Sequence, residues 1–241
     1  MADRYFVEAP ICGERAQLSG PEAHHLAHVM RAKPGDEVVL FDGSGAQFAA
    51  KVERVGRAEI ELAVLAREEV DHELPVPITL AVSLPKGDHQ RWLVEKEVEL
   101  GIGRFVPVVT ERGSDRDAPA ALKRLGRTVI EASKQCGRNR LMTIEPAIEL
   151  AAFAATLPSA ALGVIAHIGG PPLSKVLDAS TAARPAEFRL LVGPEGGFTD
   201  AEIRNASEAG WRVVGLGRRT LRIETAALAL VSAVTSRLCE P

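Results

Sequence analysis

From Ile78 onward the sequence keeps switching between two spacings of apolar residues, and this alternation limits the possible folds more than any other feature. "ITLAVSL" (78–84) reads as a strand buried on both faces, "HQRWLVEKEVELG" as a helix ended by Gly101, and "RFVPVVT" as the next strand. A long helix follows over roughly 118–138, ended near Gly137, and "AIELAAFAATL" is helical. "ALGVIAHI" and "EFRLLVG" are strands; then come a helix at 200–209 closed by Gly210, the strand "WRVVGL", and an apolar helix from about Thr225 to Leu238. Repeated βα units imply a mostly parallel sheet covered by helices on both faces.

Residues 1–72 lack that rhythm. "DEVVLFDGSGAQFAAKVERV" folds back on itself at Asp42-Gly43-Ser44-Gly45 as a hairpin, and "AEIELAVLA" alternates like a further strand. Before them, Pro21 to Arg31 reads as one short helix, with Leu26, Val29 and Met30 at helical spacing. The charged, then proline-punctuated "EEVDHELPVP" (68–77) is the linker candidate. The expected organisation is a small β-rich module over 1–72 and an α/β domain over 73–241.

Charge is uneven. The whole chain carries a net −3, which argues against general nucleic-acid binding, and residues 1–72 hold 8 basic against 13 acidic residues. Within 112–140, however, 8 basic residues face 3 acidic ones, and Arg218, Arg219 and Arg222 cluster later. A local basic patch can meet phosphates even on an acidic chain, although a solvated helix face has the same composition. No apolar run approaches the ~20 residues that span a bilayer, and "MADRYFVEAP" lacks the pattern of a secretory leader. Cys12, Cys136 and Cys239 are odd in number and far apart, so neither a disulfide framework nor a zinc site is expected. The chain reads as cytoplasmic, with reduced thiols.

Two glycine-led stretches carry the chemistry. "LVGPEGGFTD" (191–200) leads from a strand into a helix, with Thr199 as N-cap and Glu202 three residues on as a capping box. That leaves the backbone N–H groups of 195–198 free for a ligand. It has no lysine for a phosphate loop, does not match Gly-x-Gly-x-x-Gly, and places Glu195 where a pyrophosphate would be repelled. A carboxylate beside bare backbone suits a ligand with neutral or positive parts, such as an adenine and a sulfonium. "LGRRTLRIETAALAL" (216–230) puts three arginines and Glu224 on a stretch that turns directly into an apolar helix. Both stretches fall at carboxyl ends of strands, where open α/β sheets bind ligands.

The pair "LVGPEGGFT" and "LGRRTLRIETA" resembles the signature of the 16S rRNA uridine-N3 methyltransferases of the SPOUT superfamily. "HHLAHVMRAKPGDEVVLFDGSG", "KGDHQRWLVEKEVELGIGRFVPVVTERG" and "EASKQCGRNR" extend the likeness over most of the chain. The resemblance implies a PUA-like RNA-binding β-barrel followed by a parallel-sheet domain with a C-terminal trefoil knot, acting as a homodimer on 16S rRNA or the small ribosomal subunit. It implies S-adenosylmethionine as cofactor, with no metal and no membrane. It assigns cofactor binding to Leu191, Gly193, Pro194, Gly196 and Gly197 of the first loop, and to Leu216, Gly217, Leu221, Ile223, Thr225 and Ala226 of the second.

Methylating uridine N3 requires removal of an imide proton and stabilisation of the anion spread over O2 and O4. Arg222 is the candidate stabiliser, because a guanidinium stays charged and offers a fork of donors; bracing the loops through Glu195 or Glu224 is its structural alternative. Those two glutamates are the candidates for the base. Ser133, Lys134, Gln135, Arg138 and Arg140, at the end of the basic helix, together with His24 and Arg31, are the candidates for RNA contact. His24 and His28 stand four apart, a metal-ligand spacing, but no glutamate lies between and no third ligand follows. "AHIGG" (166–170) lacks the glutamate the resemblance leads one to expect, so no cofactor role is assigned to it. Ribose 2′-O-methylation on the same fold and a non-catalytic RNA-binding assembly factor remain as alternatives.

Overall fold

The computed structural model describes residues 3–113, 119–179 and 184–238. Residue 118, the expected start of the long helix, and Cys239 lie outside them. The chain divides into two compact units, residues 1–73 with 130–141, and residues 74–129 with 142–241.

The first unit is a five-stranded sheet of β1 (Arg4–Phe6), β2 (Arg15–Ser19), β3 (Glu37–Phe41), β4 (Ala46–Val55) and β5 (Glu59–Glu69), in the order β1-β3-β4-β5-β2. The expected hairpin is β3–β4, with Phe41 opposite Gln47. Two register shifts between β4 and β5, at Ala49/Ala50 and Val52/Arg54, curl the sheet, since each extra residue bends its strand. Alternate residues of β4 point inward, and Phe48, Ala50 and Val52 join Tyr5, Leu18, Leu40, Ile60 and Leu62 in one core.

The segment Pro21–Arg31 departs from expectation. It is not one α-helix but α1 (Gly20–His24) followed by a π-helical turn, His25–Val29. Leu26 is buried, whereas Val29 and Met30 are exposed. The wider π turn moves residues three and four along the chain off the face that Leu26 occupies.

The second unit is built on β6 (Ile78–Val82), β7 (Arg104–Val109), β8 (Thr143–Ile144), β9 (Ile148–Glu149), β10 (Ala161–Ala166), β11 (Glu187–Val192) and β12 (Arg212–Val214). The sheet order is β12-β10-β11-β6-β7-β8, with β9 also on β7, and every pairing is parallel. The helices are α2 (His89–Glu99), α3 (Pro119–Cys136), α4 (Leu150–Ala154), α5 (Leu173–Ala179), α6 (Asp200–Glu208) and α7 (Ile223–Leu238). Of these, α3 runs across the division, its residues from Ile130 on counting with the first unit.

The central strands β6 and β11 are apolar and buried almost throughout, as a sheet covered on both faces requires. On one face α4 and α6 bury Leu150, Phe153 and Ala206 against Ala81, Val106, Ile165 and Leu191, with Trp211 donating its indole N–H to Ala154 O at 3.0 Å. On the other, α7 packs on β6, β11 and α2. The predicted helix "AIELAAFAATL" is split, its first residues pairing with β7 as β9 before α4 begins. Glu97 of α2 is wholly buried and neither carboxylate oxygen has a hydrogen-bond partner. Burial pushes its carboxyl up to about 8, so it is held neutral. No helix among the described residues is long and apolar enough to cross a membrane.

Candidate active site

β12, β10 and β11 are neighbours, so the three chain segments that leave their carboxyl ends converge. They enclose a cavity of about 300 Å³, lined by Ala166–Ile168 after β10, Val192–Phe198 after β11, and Leu216, Gly217, Arg219–Leu221 and Ile223 after β12. Ala226 of α7 and Arg112 complete the wall. The volume is at the lower end of small-molecule sites.

Each wall is fixed by its own chemistry. In the first glycine loop, Pro194 O accepts from Gly197 N at 2.8 Å, closing a turn. The capping box is present: Thr199 Oγ1 accepts from Glu202 N and Glu202 Oε2 accepts from Thr199 N, at 3.2 and 2.7 Å. Arg112 donates from Nη1 to Gly196 O at 3.1 Å and to Phe198 O at 3.4 Å, clamping the loop from β7's side. The segment after β10 meets β12 main chain to main chain. His167 N donates to Val214 O and Gly215 N to Pro171 O, both at 2.8 Å. A Cβ on Gly215 would stand 2.4 Å from Gly170 O, and one on Gly170 would stand 2.6 Å from Val214 C. Only a hydrogen fits at either position.

Of the residues read from sequence, Gly193, Pro194, Glu195, Gly196, Gly197, Leu216, Gly217, Leu221, Ile223 and Ala226 line this one cavity. Glu195 is exposed at its edge. Four stand apart from the lining. Leu191 is fully buried in β11 beneath the loop, and Thr225 and Arg222 are exposed at the start of α7. Glu224 is buried, with Oε1 at 3.2 Å from His89 Nδ1. The segment 166–170, given no cofactor role from sequence, contributes Ala166, His167 and Ile168 to the cavity wall. Sequence reasoning also missed Arg112, whose approach to the glycine loop is purely tertiary, and took no account of Arg219 and Thr220 as wall.

In the first unit, Lys134 pairs with Glu22 at 2.9 Å over the ring of Tyr5. Arg138 is buried with Nε and Nη2 both donating to the carboxylate of Glu73, at 3.0 Å for Nε. Ser133 is buried, with no partner for its hydroxyl. Gln135, Arg140, His24 and Arg31 are on the surface. The rings of His24 and His28 lie 4.7 Å apart. Among the described residues no group of three or more metal-ligating side chains converges.

This fold and its strand-end cavity are those of an RNA methyltransferase domain, whose family model matches residues 72–235, while that of the RNA methyltransferase PUA domain matches residues 18–65. The ribosomal RNA small subunit methyltransferase E of Synechocystis is 33% identical over 97% of this chain and 76% of its own. The Bacillus subtilis protein of the same name is 28% identical over 90% and 88%. The small subunit methyltransferase E of Neisseria gonorrhoeae, solved bound to S-adenosyl methionine, superposes with a TM-score of 0.89 at 32% identity, covering 98% of both chains. A Legionella pneumophila methyltransferase solved with the same cofactor gives 0.88 at 28%, again over 98% of each. The chain belongs to the family of ribosomal RNA small subunit methyltransferases E.

Proposed function

We propose that this protein transfers the methyl group of S-adenosylmethionine to N3 of a uridine in 16S rRNA. The observation that carries the reading is that both glycine-led stretches, 193–198 and 216–226, face one cavity at three adjacent strand ends. Similar chains hold this cofactor, and the four glycines in the wall, Gly193, Gly196, Gly197 and Gly217, let main chain approach it closely. The apolar side chains of Leu216, Leu221 and Ile223 form the adenine slot, and loop N–H groups and carbonyls hold the polar parts.

The target uridine enters the open mouth. There a guanidinium stabilises the O2/O4 anion once the N3 proton has left, with Glu195 as the acceptor nearest the cavity. Arg222 is assigned the anion, and Arg219, which lines the cavity, is the competing donor. Glu224, facing His89, positions the start of α7. RNA is held by His24, Arg31, Gln135 and Arg140, braced by Ser133, Lys134 and Arg138. The domains are a PUA-like module over 1–72 and a methyltransferase domain over 73–241. The tight passage of 167–171 against 214–215 supports a knotted C-terminal end. A homodimer is supported by α7, which leaves Thr225, Ala229, Ser232 and Ser236 exposed along one line; light scattering should give twice 25.7 kDa.

Calorimetry tests the cofactor. Gly196→Val places a branched side chain where even an added Cβ would stand 3.3 Å from Arg112 Cβ, and should abolish S-adenosylmethionine binding; retained affinity refutes the site. Arg222→Ala should keep cofactor affinity within a few-fold while turnover on rRNA falls by ~10²–10³, and Arg222→Lys should restore part of it. If Arg219→Ala shows that pattern instead, the anion belongs to Arg219. Nucleoside mapping of the product must place the methyl on uridine N3.

A further inference from the structure

Resting on the reading of this chain as an RNA methyltransferase, we infer that the tip Val29–Met30 is an apolar wedge that enters single-stranded RNA and parts two adjacent bases, flanked by His24, His28 and Arg31. Val29 is 59% and Met30 44% exposed, two of the five large apolar side chains left exposed among the described residues and the only adjacent pair. The spacing Leu26, Val29, Met30 would bury all three on one face of an ordinary α-helix. A single π turn, closed by Met30 N donating to His25 O at 3.0 Å, prevents that and turns the last two outward.

The next residue carries a second cost. Arg31 has φ +56, the one non-glycine among the described residues in the left-handed region. Ala32 N donates to Leu26 O at 3.1 Å across it, a helix-ending geometry in which glycine is the usual choice. The chain thus keeps an outlying turn, two exposed apolar side chains and a strained arginine within a few residues. Such concentrations of strain persist where they serve a ligand.

The base of the tip is rigid. Leu26 sits in the core, and His25 packs on the buried ring of Tyr5 with centroids 5.9 Å apart. Around the apolar tip the chemistry suits nucleotides. The His24 and His28 rings offer a stacking surface, and Arg31 and Lys33 are exposed cations. The nearby acids are engaged: Glu22 holds Lys134 and accepts from Phe6 N, and Asp36 accepts from Lys33 N. Neither Arg31 nor Lys33 is held in an ion pair by these acids, even though the module as a whole is acidic. Duplex RNA hides its base faces from side chains, whereas unpaired loops splay them out. Apolar side chains, methionine among them, are the usual wedges between bases.

The test uses the full chain, a short single-stranded RNA carrying 2-aminopurine, and a duplex of the same length. With wild-type protein, the fluorescence of 2-aminopurine should rise on binding the single strand. Val29→Ser combined with Met30→Ser should lose ~10-fold or more in single-strand affinity and lose the fluorescence rise, with melting temperature and S-adenosylmethionine affinity unchanged. Arg31→Gly should melt no lower than wild type, yet bind the single strand more weakly with a salt slope shallower by about one ion. Wild-type RNA affinity in the double variant overturns the wedge. So does a melting point several degrees lower, which would mark the side chains as packing, or a changed oligomeric state at constant RNA affinity, which would mark a protein contact. If the wild-type protein methylates rRNA while any of these occurs, only the wedge falls; failure of methyl transfer itself removes the underlying reading.

Discussion

Each unit is held together internally by its own means, and the two are opposite. In the first, charged side chains are drawn inside and matched: Arg138 with Glu73, Lys134 with Glu22, and Arg4, whose guanidinium reaches Gln47 and Asn139 at 2.8 and 2.6 Å over the ring of Phe41. In the second, the crossing of the segment after β10 with that after β12 is made by main chain and depends on side chains being absent, at Gly170 and Gly215. The first unit should therefore fail when a side chain is removed, and the second when one is added.

The largest effect expected from this contrast is at Glu73. Removing one partner of a buried ion pair leaves a guanidinium desolvated without its carboxylate, at a cost of about 3–5 kcal/mol. Glu73→Ala should shift urea unfolding of the first unit by that order and leave S-adenosylmethionine affinity alone. Near-wild-type stability in the isosteric Glu73→Gln, beside a loss in Glu73→Ala, would point to packing in place of charge. Next comes Gly215→Ala, the addition of one carbon. Overpacking against Gly170 O should cost about 1–3 kcal/mol or more, about 2–4 °C in melting temperature per kcal/mol for a chain of this size. It should also weaken cofactor binding, because the wall at 166–168 must move. A neutral result would show that the crossing yields, and the contrast between the units would lose its basis.

The third effect is graded with pH. Glu97 ordinarily titrates near 4.5 and is pushed to about 8 in the folded chain, so the native state retains a proton that the unfolded chain has released. Its contribution is intact below 4.5 and declines as pH rises toward 8, at most about 1.4 kcal/mol per pH unit. Glu97→Gln should flatten that part of the stability–pH curve, gaining relative to wild type as the medium becomes alkaline. Parallel curves for the two proteins would disprove a neutral Glu97. Like Glu224, this buried acid of the second unit is an exception to the division drawn above, which makes it a sensitive probe.

How much of this was legible in the sequence depended on whether a period or a contact carried the information. The period of "ITLAVSL" and "EFRLLVG" placed β6 and β11, and Thr199 with Glu202 placed the start of α6 to the residue, because local rules decide those elements. The same rule misplaced Val29 and Met30, since a π turn leaves no mark in apolar spacing. The cavity was half readable: glycine-led stretches advertise themselves, whereas His167 and Ile168 contribute through position alone and Arg112 is brought to Gly196 only by tertiary folding. Ser133, Lys134 and Arg138 read as a basic surface, yet burial separates them from Gln135 and Arg140, and composition cannot report burial.

The position of β11 bears on how the chain is made. It pairs with β6, joining Phe188 to Ile78, yet it is synthesised 110 residues later. At ribosomal speeds of ~5–20 residues per second, roughly 5–20 s separate the two strands. Throughout that interval Ile78–Val82, all five residues of which end up buried, has its β11 edge unpaired. All five strands of the first unit's curled sheet lie at or before Glu69. Synthesis therefore delivers a finished N-terminal sheet tethered to an apolar strand still waiting for its neighbour.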